Sequence, residues 1–505
     1  MRTPTLVLAL AGLATGALAD QTALTIYSSA APGAIPPELY RPSPNAGYNP
    51  YEGQQLPGYA VVKQERSVEL GEGRSVVRFT DVAAYIDPTT VMFESLTDPD
   101  ETRVIEQNYE FDLVSNQKLL ERFIDQTVSV DQAAGDSVQT FTGKLLSARG
   151  GLILQEDSGA LRTVNGYTAI RFPALPEGLI TRPTLVWDVF SPGGGKHQAR
   201  VSYQTTGITW WADYNLTFTP GEDANSGTLD VGAWVSIINQ TGADFEEAKL
   251  KLVAGEVHRA PADHLGVPMM EAAKGRAQAD VAGFEEKAFF EYHLYTLGRP
   301  TTLPDNSTKQ IELMEGASGV PAEKVLVYHG LPWQYGSWWP NPATDRDLGL
   351  AMNKSVDVYL RFRNSKENGM GVPLPKGRIR VNQLDTADGS LEFIGEDVID
   401  HTPKDETVLI RMGEAFDVVG ERRQTDFSIN VRGEVMDETI EIKLRNHKDQ
   451  PVKVIVKENL YRWSNWEITE KSHEFEKQDA RTVHFPVTIE PDGEAVVTYT
   501  VHYSW

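Results

Sequence analysis

The stretch from Pro373 to Gln424 reads PLPKGRIRVNQLDTADGSLEFIGEDVIDHTPKDETVLIRMGEAFDVVGERRQ. Polar and apolar residues alternate from Gly377 to Val381, Asp388-Gly389 supplies a tight turn, and Leu391 to Ile394 returns as a second strand. Another alternating run covers Thr407 to Arg411, and the Met-Gly-Glu that follows it predicts a bend. The stretch therefore predicts consecutive antiparallel strands, which indicates an all-β fold.

Short alternating runs separated by turn residues continue on both sides of this stretch, so we expect a multidomain all-β protein built from β-sandwiches. With 505 residues the chain is too long for one core, and a prior of ~150 residues per domain suggests about three domains. In chain order the predicted divisions are residues 1–19 as a signal peptide, 20–57 as a flexible arm rich in Pro and Gly, 58–111 as an N-terminal β unit, 112–180 as a small barrel, 181–425 as a large sandwich with a mobile insertion over 261–286, and 426–505 as an immunoglobulin-like sandwich.

The N-terminus has the pattern of a secretory signal peptide. Arg2 gives it a positive start, Leu6 to Leu18 is apolar, and Ala-Leu-Ala at 17–19 has the form of a cleavage site before Asp20. A buried N-terminal helix is the alternative, but the run lacks polar spacing and has no helix stop signal. We therefore expect an exported protein located in the periplasm or at the cell surface.

Composition excludes several classes of function. The chain contains no Cys, so disulfides, thiolate metal sites and Cys nucleophiles are absent. A formal net charge of −24 repels nucleic acid and anionic membranes. No run after the signal peptide approaches the ~18 apolar residues that a transmembrane helix needs. We therefore expect neither a nucleic-acid partner nor a transmembrane segment.

The segment between 112 and 180 has a pattern of its own. FTGKLLSARGGLILQ at 141–155 and LRTVNGYTAIRFP at 161–173 follow a short helical interval, as in SH3-like and Sm-like barrels. Some Sm-like barrels bind RNA, but this segment lies in an acidic chain that we expect to be exported. We therefore predict a structural role for the barrel.

Three blocks of sequence resemble a bacterial family known as domain of unknown function 4139, which is related to proteins labelled mucoidy inhibitor A. They are RPTLVWDVFSPGGGKHQARVSYQTTGITWWADYNLTF at 182–218, FFEYHLYTLGRPTTLPDNSTKQIELM at 289–314, and GVPLPKGRIRVNQ at 371–383 with HTPKDE and FDVVGERRQ downstream. The resemblance covers roughly 183–505 and implies an exported, β-rich protein. It assigns no catalytic residues, and the coiled coil of the mucoidy-inhibitor relatives has no counterpart here.

His401, Asp405 and Glu406 form the best candidate for a metal site. An imidazole with carboxylates suits a divalent cation, although the spacing matches no zinc or EF-hand motif. The alternative is that HTPKDE is a polar turn whose backbone is fixed by Pro403. A divalent cation is the one cofactor that the sequence suggests.

Aromatic residues form the best candidate for a binding site. One short segment bounded by prolines carries Trp333, Tyr335, Trp338 and Trp339. Trp in a loop can anchor a protein partner or stack on a sugar face. The alternative is that these rings fill the junction between two sandwiches.

These observations favour an exported, non-enzymatic protein of the cell envelope that acts through contacts with an envelope protein or a glycan. The competing hypothesis is a hydrolase that cleaves envelope polymers or peptides with the help of a metal held by His401 and its acidic neighbours. The sequence contains neither a Gly-x-Ser-x-Gly motif nor a phosphate-binding loop in support of another class of enzyme.

Overall fold

The computed structural model describes residues 21–27, 35, 56–110, 112, 114–134, 137–176, 178–255, 257, 284–289, 292–331, 341–348, 353–385 and 387–505. Regular structure in these ranges is almost entirely β-strand, which confirms the predicted all-β, multidomain architecture. None of the helices in the described ranges is long and apolar enough to cross a membrane.

The N-terminal elements are β1 Gln21–Tyr27, β2 Tyr59–Leu70, β3 Gly73–Thr80, β4 Ile86–Ser95, β5 Arg103–Glu110, α1 Asn116–Arg122, β6 Thr127–Ala134, β7 Ser137–Ser147, β8 Leu152–Gln155, β9 Leu161–Val164 and β10 Ala169–Arg171. The central elements are β11 Thr184–Ser191, β12 Gly195–Thr205, β13 Ile208–Pro220, β14 Ser226–Asn239, β15 Phe245–Ala254, β16 Phe284–Phe289, β17 Tyr292–Leu297, β18 Thr301–Leu303, β19 Ser307–His329 and β20 Ser355–Arg363. The C-terminal elements are β21 Gly377–Leu384, β22 Leu391–Ile399, β23 Thr407–Asn430, β24 Val435–Asn446, β25 Val452–Asn459, β26 Trp466–Lys471, β27 Glu476–Lys477, β28 Thr482–Ile489 and β29 Glu494–Ser504.

Two sheets pack against each other in the N-terminal part. The larger has the order β16-β17-β15-β1-β2-β12-β4, with β18 paired to β15, and the smaller has the order β3-β11-β5. Trp187 on β11 is fully buried, and its ring lies 5.3 Å from Phe79 and 5.2 Å from Phe93 between ring centroids. Its indole nitrogen donates a 2.8 Å hydrogen bond to Gln107. Trp187 therefore fills the space between the two layers and satisfies its one polar atom.

The prediction of a flexible arm over 20–57 is wrong for the first residues of that range. Gln21–Tyr27 form β1, which pairs parallel with β15 and antiparallel with β2 in the middle of the larger sheet. Leu24 and Ile26 alternate with more exposed neighbours and are fully buried, as in a strand with one face on the core. Residues 28–34 and 36–55 of the predicted arm lie outside the described residues.

The structure also differs from the predicted divisions around the small barrel. Strands β2 and β4, from the predicted N-terminal unit, both pair with β12, and β3 and β5 both pair with β11. Residues 58–110 and the strands that begin at Thr184 therefore belong to one folded unit. The segment from 112 to 180 is an insertion into that unit rather than a link between two domains.

The inserted segment is an open sheet in the described residues, which corrects the predicted closed barrel. Its order is β10-β6-β7-β8-β9, and the end strands β9 and β10 do not pair with each other. These end strands are short, with four and three residues. Helix α1, capped by the Ser115 side chain, places Phe123 in a separate core with Val130 and Leu145.

A sheet of 13 strands forms the rest of the molecule. Two long strands, β19 and β23, pair both with central strands of this sheet and with strands of the last sandwich. The first half of β23 pairs with β20, and its second half from Val418 pairs with β24. The predicted bend at Met-Gly-Glu is thus an irregularity inside one continuous strand. The predicted limit between 425 and 426 falls within the same strand, so the sequence pattern did not mark the start of the last sandwich.

The last sandwich has two layers, one containing β24, β29 and β26 and the other containing β25, β28 and β27. Large side chains from both layers meet in one core, where the rings of Phe485 and Tyr499 stack at 5.3 Å between centroids. Of the insertion predicted over 261–286, residues 261–283 lie outside the described residues. Its last residues belong to β16, which extends the larger N-terminal sheet beyond β17.

Candidate functional site

The four predicted aromatic contact residues, Trp333, Tyr335, Trp338 and Trp339, lie outside the described residues. The chain on either side of them is described, because Leu331 precedes the gap and 341–348 follows it. Arg462, fully buried at the end of the C-terminal sandwich, donates hydrogen bonds to the carbonyls of Ala343 at 2.9 Å, Asp345 at 2.7 Å and Leu348 at 3.2 Å. The segment that follows the aromatic residues is therefore held by the sandwich core.

Two buried ion pairs form a polar network next to this segment. Arg462 donates to Glu438 at 3.0 Å, and Arg422 donates to Glu458 at 3.0 Å, with all four side chains at most 3% exposed. Burial raises the pKa of Tyr499 well above its ordinary value, so its hydroxyl keeps its proton and donates a hydrogen bond to Glu458. Each charge has its counter-charge, which is the condition under which buried charges are tolerated.

Glu458 also approaches the chain that leads into the aromatic segment. A Cβ at Gly330 would lie 1.6 Å from the second carboxylate oxygen of Glu458, so no larger residue fits there. That oxygen has no hydrogen-bond partner among the described residues. The network therefore contacts the backbone on both sides of the aromatic segment, at Gly330 and at 343–348.

Two Trp residues of the C-terminal sandwich have structural roles. Trp463 and Trp466 are partly buried against the core of the C-terminal sandwich. The indole nitrogen of Trp466 donates a 2.8 Å hydrogen bond to the Ala480 carbonyl, and the Lys477 ammonium lies 4.5 Å from its ring centroid. Both rings thus contribute to packing within the sandwich.

His401, Asp405 and Glu406 lie on an exposed turn between β22 and β23. No group of three or more His, Asp or Glu side chains in the described part of the chain is placed to hold a metal ion. The turn is fixed by its backbone instead, because the buried Asn364 exchanges main-chain hydrogen bonds with Asp405 at 2.7 Å and with Glu406 at 2.9 Å. His401 accepts a 3.1 Å hydrogen bond from the Lys376 amide. The geometry therefore supports the turn and gives the cation hypothesis no support.

A surface that sequence reasoning missed lies on the two strands beside this turn. We call it the β22–β23 surface and define it by five exposed apolar residues: Leu391, Phe393 and Val398 on β22, and Leu409 and Phe416 on β23. Strand β22 ends the 13-stranded sheet and pairs only with β21 in the described residues. The surface is therefore an apolar patch at the edge of a sheet, where partners can add contacts.

Glycine lets the two strands approach each other at the centre of this surface. Gly395 has φ +155°, and a Cβ there would lie 2.8 Å from the Met412 carbonyl oxygen on β23. Next to it the Arg411 amide donates a 2.7 Å hydrogen bond to the Asp397 side chain. Both contacts require the strands to run antiparallel, which puts Leu391 and Phe393 at the same end as Phe416.

Phe416 is the most exposed of the five, with 96% of its surface open to solvent. The pairs Ser355–Val419 and Asp357–Glu414 leave one residue of β20 opposite four residues of β23. The extra residues of β23 bulge outwards and carry the Phe416 ring with them. Full burial of a Phe side chain in a core stabilises a folded protein by about 1.5–3 kcal/mol. The exposed Phe416 side chain contributes almost none of this stabilisation.

The charge of the surface is negative. On the same two strands, the acidic side chains within two residues of an apolar member are Glu392, Glu396, Asp397, Glu414 and Asp417, of which Glu396 pairs with Arg380 at 3.6 Å. The Arg411 guanidinium is already engaged, since it donates a 2.8 Å hydrogen bond to Asp357, which raises the pKa of Arg411. The surface therefore combines exposed apolar rings with an acidic border.

The sequence carried no signal for this surface. Phe416 falls on the same alternating positions as Val408, Ile410 and Val418, which face the core, so the sequence pattern alone predicts a buried ring. The bulge that turns the ring outwards depends on pairing with β20, which lies more than fifty residues earlier in the chain. The missing information was therefore long-range register.

Comparison with known proteins adds one finding. The family model described as "Domain of unknown function (DUF4139)" matches residues 199–505, which is more than half of the chain. No curated protein matches the chain significantly. The matched range contains β13 to β29, both long strands and the β22–β23 surface. This chain is therefore a member of the DUF4139 family, the family that its sequence blocks resemble.

Proposed function

We propose that this protein is an exported, non-enzymatic protein of the cell envelope that acts by binding another protein through the β22–β23 surface. The observation that carries the proposal is the 96% exposure of Phe416 on β23, together with the exposed Leu391 and Phe393 on the edge strand β22. Aromatic anchors surrounded by weaker contacts dominate the energy of most protein interfaces. Because the Phe416 ring is exposed and does not pack in the core, it is available to contact a partner.

The border of the surface defines the chemistry of that partner. Five acidic residues accompany the apolar ones, and the nearby Arg411 is neutralised by Asp357. Charge complementarity selects a partner and speeds its approach, so the partner should present an apolar residue flanked by Lys or Arg. A partner with an acidic patch would be repelled.

Export is supported by the signal-peptide pattern and by the position of β1. The expected cleavage before Asp20 would leave Gln21, the first residue of β1, next to the new N-terminus. Removal of the signal peptide therefore leaves every residue of β1 in place. Cell fractionation should find the mature protein in the envelope or the medium, and a full-length cytoplasmic protein would contradict this part of the proposal.

Site-specific crosslinking in living cells tests the binding surface. Phe416 is replaced by a photo-crosslinking phenylalanine analogue in one strain, and Leu161 is replaced in another. Leu161 is a matched control because it is 66% exposed on β9, in the inserted sheet. We expect one protein to be crosslinked at position 416 and not at position 161.

Two variants decide whether the crosslink reports this surface. With the analogue placed at position 393, Phe416→Ala should lower the yield of the same product at least tenfold. A tenfold loss of affinity corresponds to about 1.4 kcal/mol of binding free energy, and an anchor residue is expected to contribute at least this much. Leu161→Ala should leave the yield unchanged. Equal crosslinking at positions 416 and 161, or an unchanged yield after Phe416→Ala, would refute the proposal.

A further inference from the structure

A polar cleft lies between the larger N-terminal sheet and three loops. Its volume is about 840 Å³, within the range of ~300–1,000 Å³ typical of small-molecule sites. Residues that line it and matter for the argument are Gln64, Arg66, Asp81, Arg182, Glu246 and Glu247. The β22–β23 surface contributes nothing to it, so the two sites can be tested separately.

Gln64 is the residue that marks the cleft as a binding site. It is only 4% exposed on the central strand β2, and its side-chain oxygen has no hydrogen-bond partner among the described residues. Ala60 and Val62, which precede it on the same face of the strand, are fully buried in the core. A buried acceptor without a partner costs about 1–3 kcal/mol, so Leu would be the more stable choice at this position.

Arg66 supplies donors at the same wall. Its guanidinium lies 4.4 Å from the centroid of the Phe79 ring and donates one 2.8 Å hydrogen bond to the Thr80 carbonyl. No carboxylate of the described residues forms an ion pair with it. Because a guanidinium has five N–H donors, most of its capacity is left for a ligand or water.

Acidic residues give the cleft its charge. Arg182 pairs with Asp81, so the remaining charged groups of the cleft lining are the Arg66 guanidinium and the carboxylates of Asp244, Glu246 and Glu247. Asp81 and Glu247 hold left-handed backbone conformations, with φ of +63° and +45°, which non-glycine residues rarely adopt. The cleft therefore has a net negative charge and presents both donors and acceptors.

We infer that this cleft binds a short saccharide, either neutral or bearing an amine. Sugar hydroxyls donate and accept at once, so they can satisfy the Gln64 amide, the free donors of Arg66 and the Glu246 carboxylate together. An anionic ligand meets repulsion from the uncompensated carboxylates, and an apolar ligand would leave the polar groups without partners.

Isothermal titration calorimetry of the full mature chain tests the inference with three named probes. They are the tetramer of glucosamine, the tetramer of N-acetylglucosamine and the tetramer of galacturonic acid. Saturable binding of either amino-sugar probe in preference to the galacturonate supports the inference. Preferential binding of the galacturonate, or no saturation by any probe at millimolar concentration, overturns it.

The variant Gln64→Leu separates a ligand contact from a structural role. We expect it to weaken binding of the preferred probe at least tenfold while the unfolding temperature stays the same or rises. A lower unfolding temperature with unchanged affinity would show that Gln64 serves the fold, and would overturn its assignment to the site.

A second variant keeps the test valid if Gln64→Leu does not fold. Glu246 is exposed, so Glu246→Gln should fold normally and weaken the glucosamine tetramer more than its N-acetylated counterpart. Glu101→Gln, at an exposed acid outside the cleft lining, is the matched control and should leave both affinities unchanged. Equal effects of the two variants would overturn the placement of the site.

Discussion

Replacing Arg462 by Met should destabilise the C-terminal sandwich and release the segment that follows the aromatic residues. The Arg462 side chain is fully buried, so Met can fill much of its volume but none of its hydrogen bonds. Five acceptors lose a hydrogen bond: the carbonyls of Ala343, Asp345 and Leu348, the Gln424 amide oxygen and the Glu438 carboxylate. The Tyr461 hydroxyl still donates to Leu348 and Glu438. The change therefore removes both an ion pair and a backbone anchor.

The cost is set mainly by Glu438, which is 2% exposed and would lose the guanidinium it pairs with, keeping only a 3.5 Å hydrogen bond from the Tyr461 hydroxyl among the described residues. Removing one member of a buried ion pair costs about 3–5 kcal/mol. The carbonyls of Asp345 and Leu348 add little, because their segment is partly exposed and can turn towards water. We therefore expect the free energy of unfolding to fall by about 3–5 kcal/mol, a large part of the ~5–15 kcal/mol of a typical domain.

Urea unfolding monitored by Trp fluorescence measures the loss, and Arg423→Met is the matched control. Arg423 on β23 pairs with Glu441 on the neighbouring strand β24, but the Arg423 side chain is 60% exposed, so its loss should cost less than about 1 kcal/mol. In the double variant Arg462→Met with Glu438→Gln, about 0.5–3 kcal/mol should return, because no unpaired charge remains buried.

Hydrogen exchange adds a local readout, since the Ala343 amide donates a 2.9 Å hydrogen bond to the Arg462 carbonyl and should exchange faster in Arg462→Met. The reasoning is refuted if Arg462→Met and Arg423→Met shift the urea midpoint equally. It is equally refuted if the double variant is no more stable than the sum of the single changes predicts.

Two further predictions concern pH and backbone strain. Burial, followed by the charge of Lys457, lowers the pKa of His329 and His484 from the ordinary 6.5. The unfolded chain therefore binds protons at these residues more readily than the folded chain does. The free energy of unfolding consequently falls as the pH drops below about 6.5. The drop in unfolding temperature between about pH 7.5 and pH 5 should therefore shrink in the variant with both His329→Gln and His484→Gln. A drop of the same size in the double variant would contradict the assignment. Gly395→Ala should destabilise the protein more than Gly413→Ala, because both glycines have positive φ but only at Gly395 would a Cβ meet backbone, 2.8 Å from the Met412 carbonyl oxygen. Thermal unfolding compares the two, and equal losses would show that the close contact of the strands costs nothing.

Local pattern predicted the strands well and their grouping poorly. Gly377–Leu384 and Leu391–Ile399 are paired strands, as alternation and the Asp-Gly turn indicate. The pattern could not show that β1, seven residues beside a stretch rich in Pro and Gly, is central to a sheet. Its partner β15 begins more than two hundred residues later, and such a parallel pairing leaves no local signature.

The candidate sites show the same division between local and long-range information. HTPKDE could be interpreted as a turn from Pro403 and its polar neighbours, and Asn364 fixes it in that form. Gln64 gave no signal, because one Gln in an alternating strand is unremarkable until its burial is known. Phe416 gave none either, since its exposure depends on a bulge against β20.

The position of the family match within the fold bears on both proposals. The match begins at residue 199, inside β12, although β12 pairs with β2 and β4 and the matched β15 pairs with β1. The family range in this chain therefore depends on earlier strands to complete its sheet.

The two proposed sites divide along this limit. All residues of the β22–β23 surface lie within the match, so its exposed apolar character is a property to look for across the family. The cleft combines Glu246 and Glu247 from the matched range with Gln64, Arg66 and Arg182 from outside it. A saccharide site there would thus depend on how the strands before residue 199 pair with the family range, and relatives with a different N-terminal part need not share it.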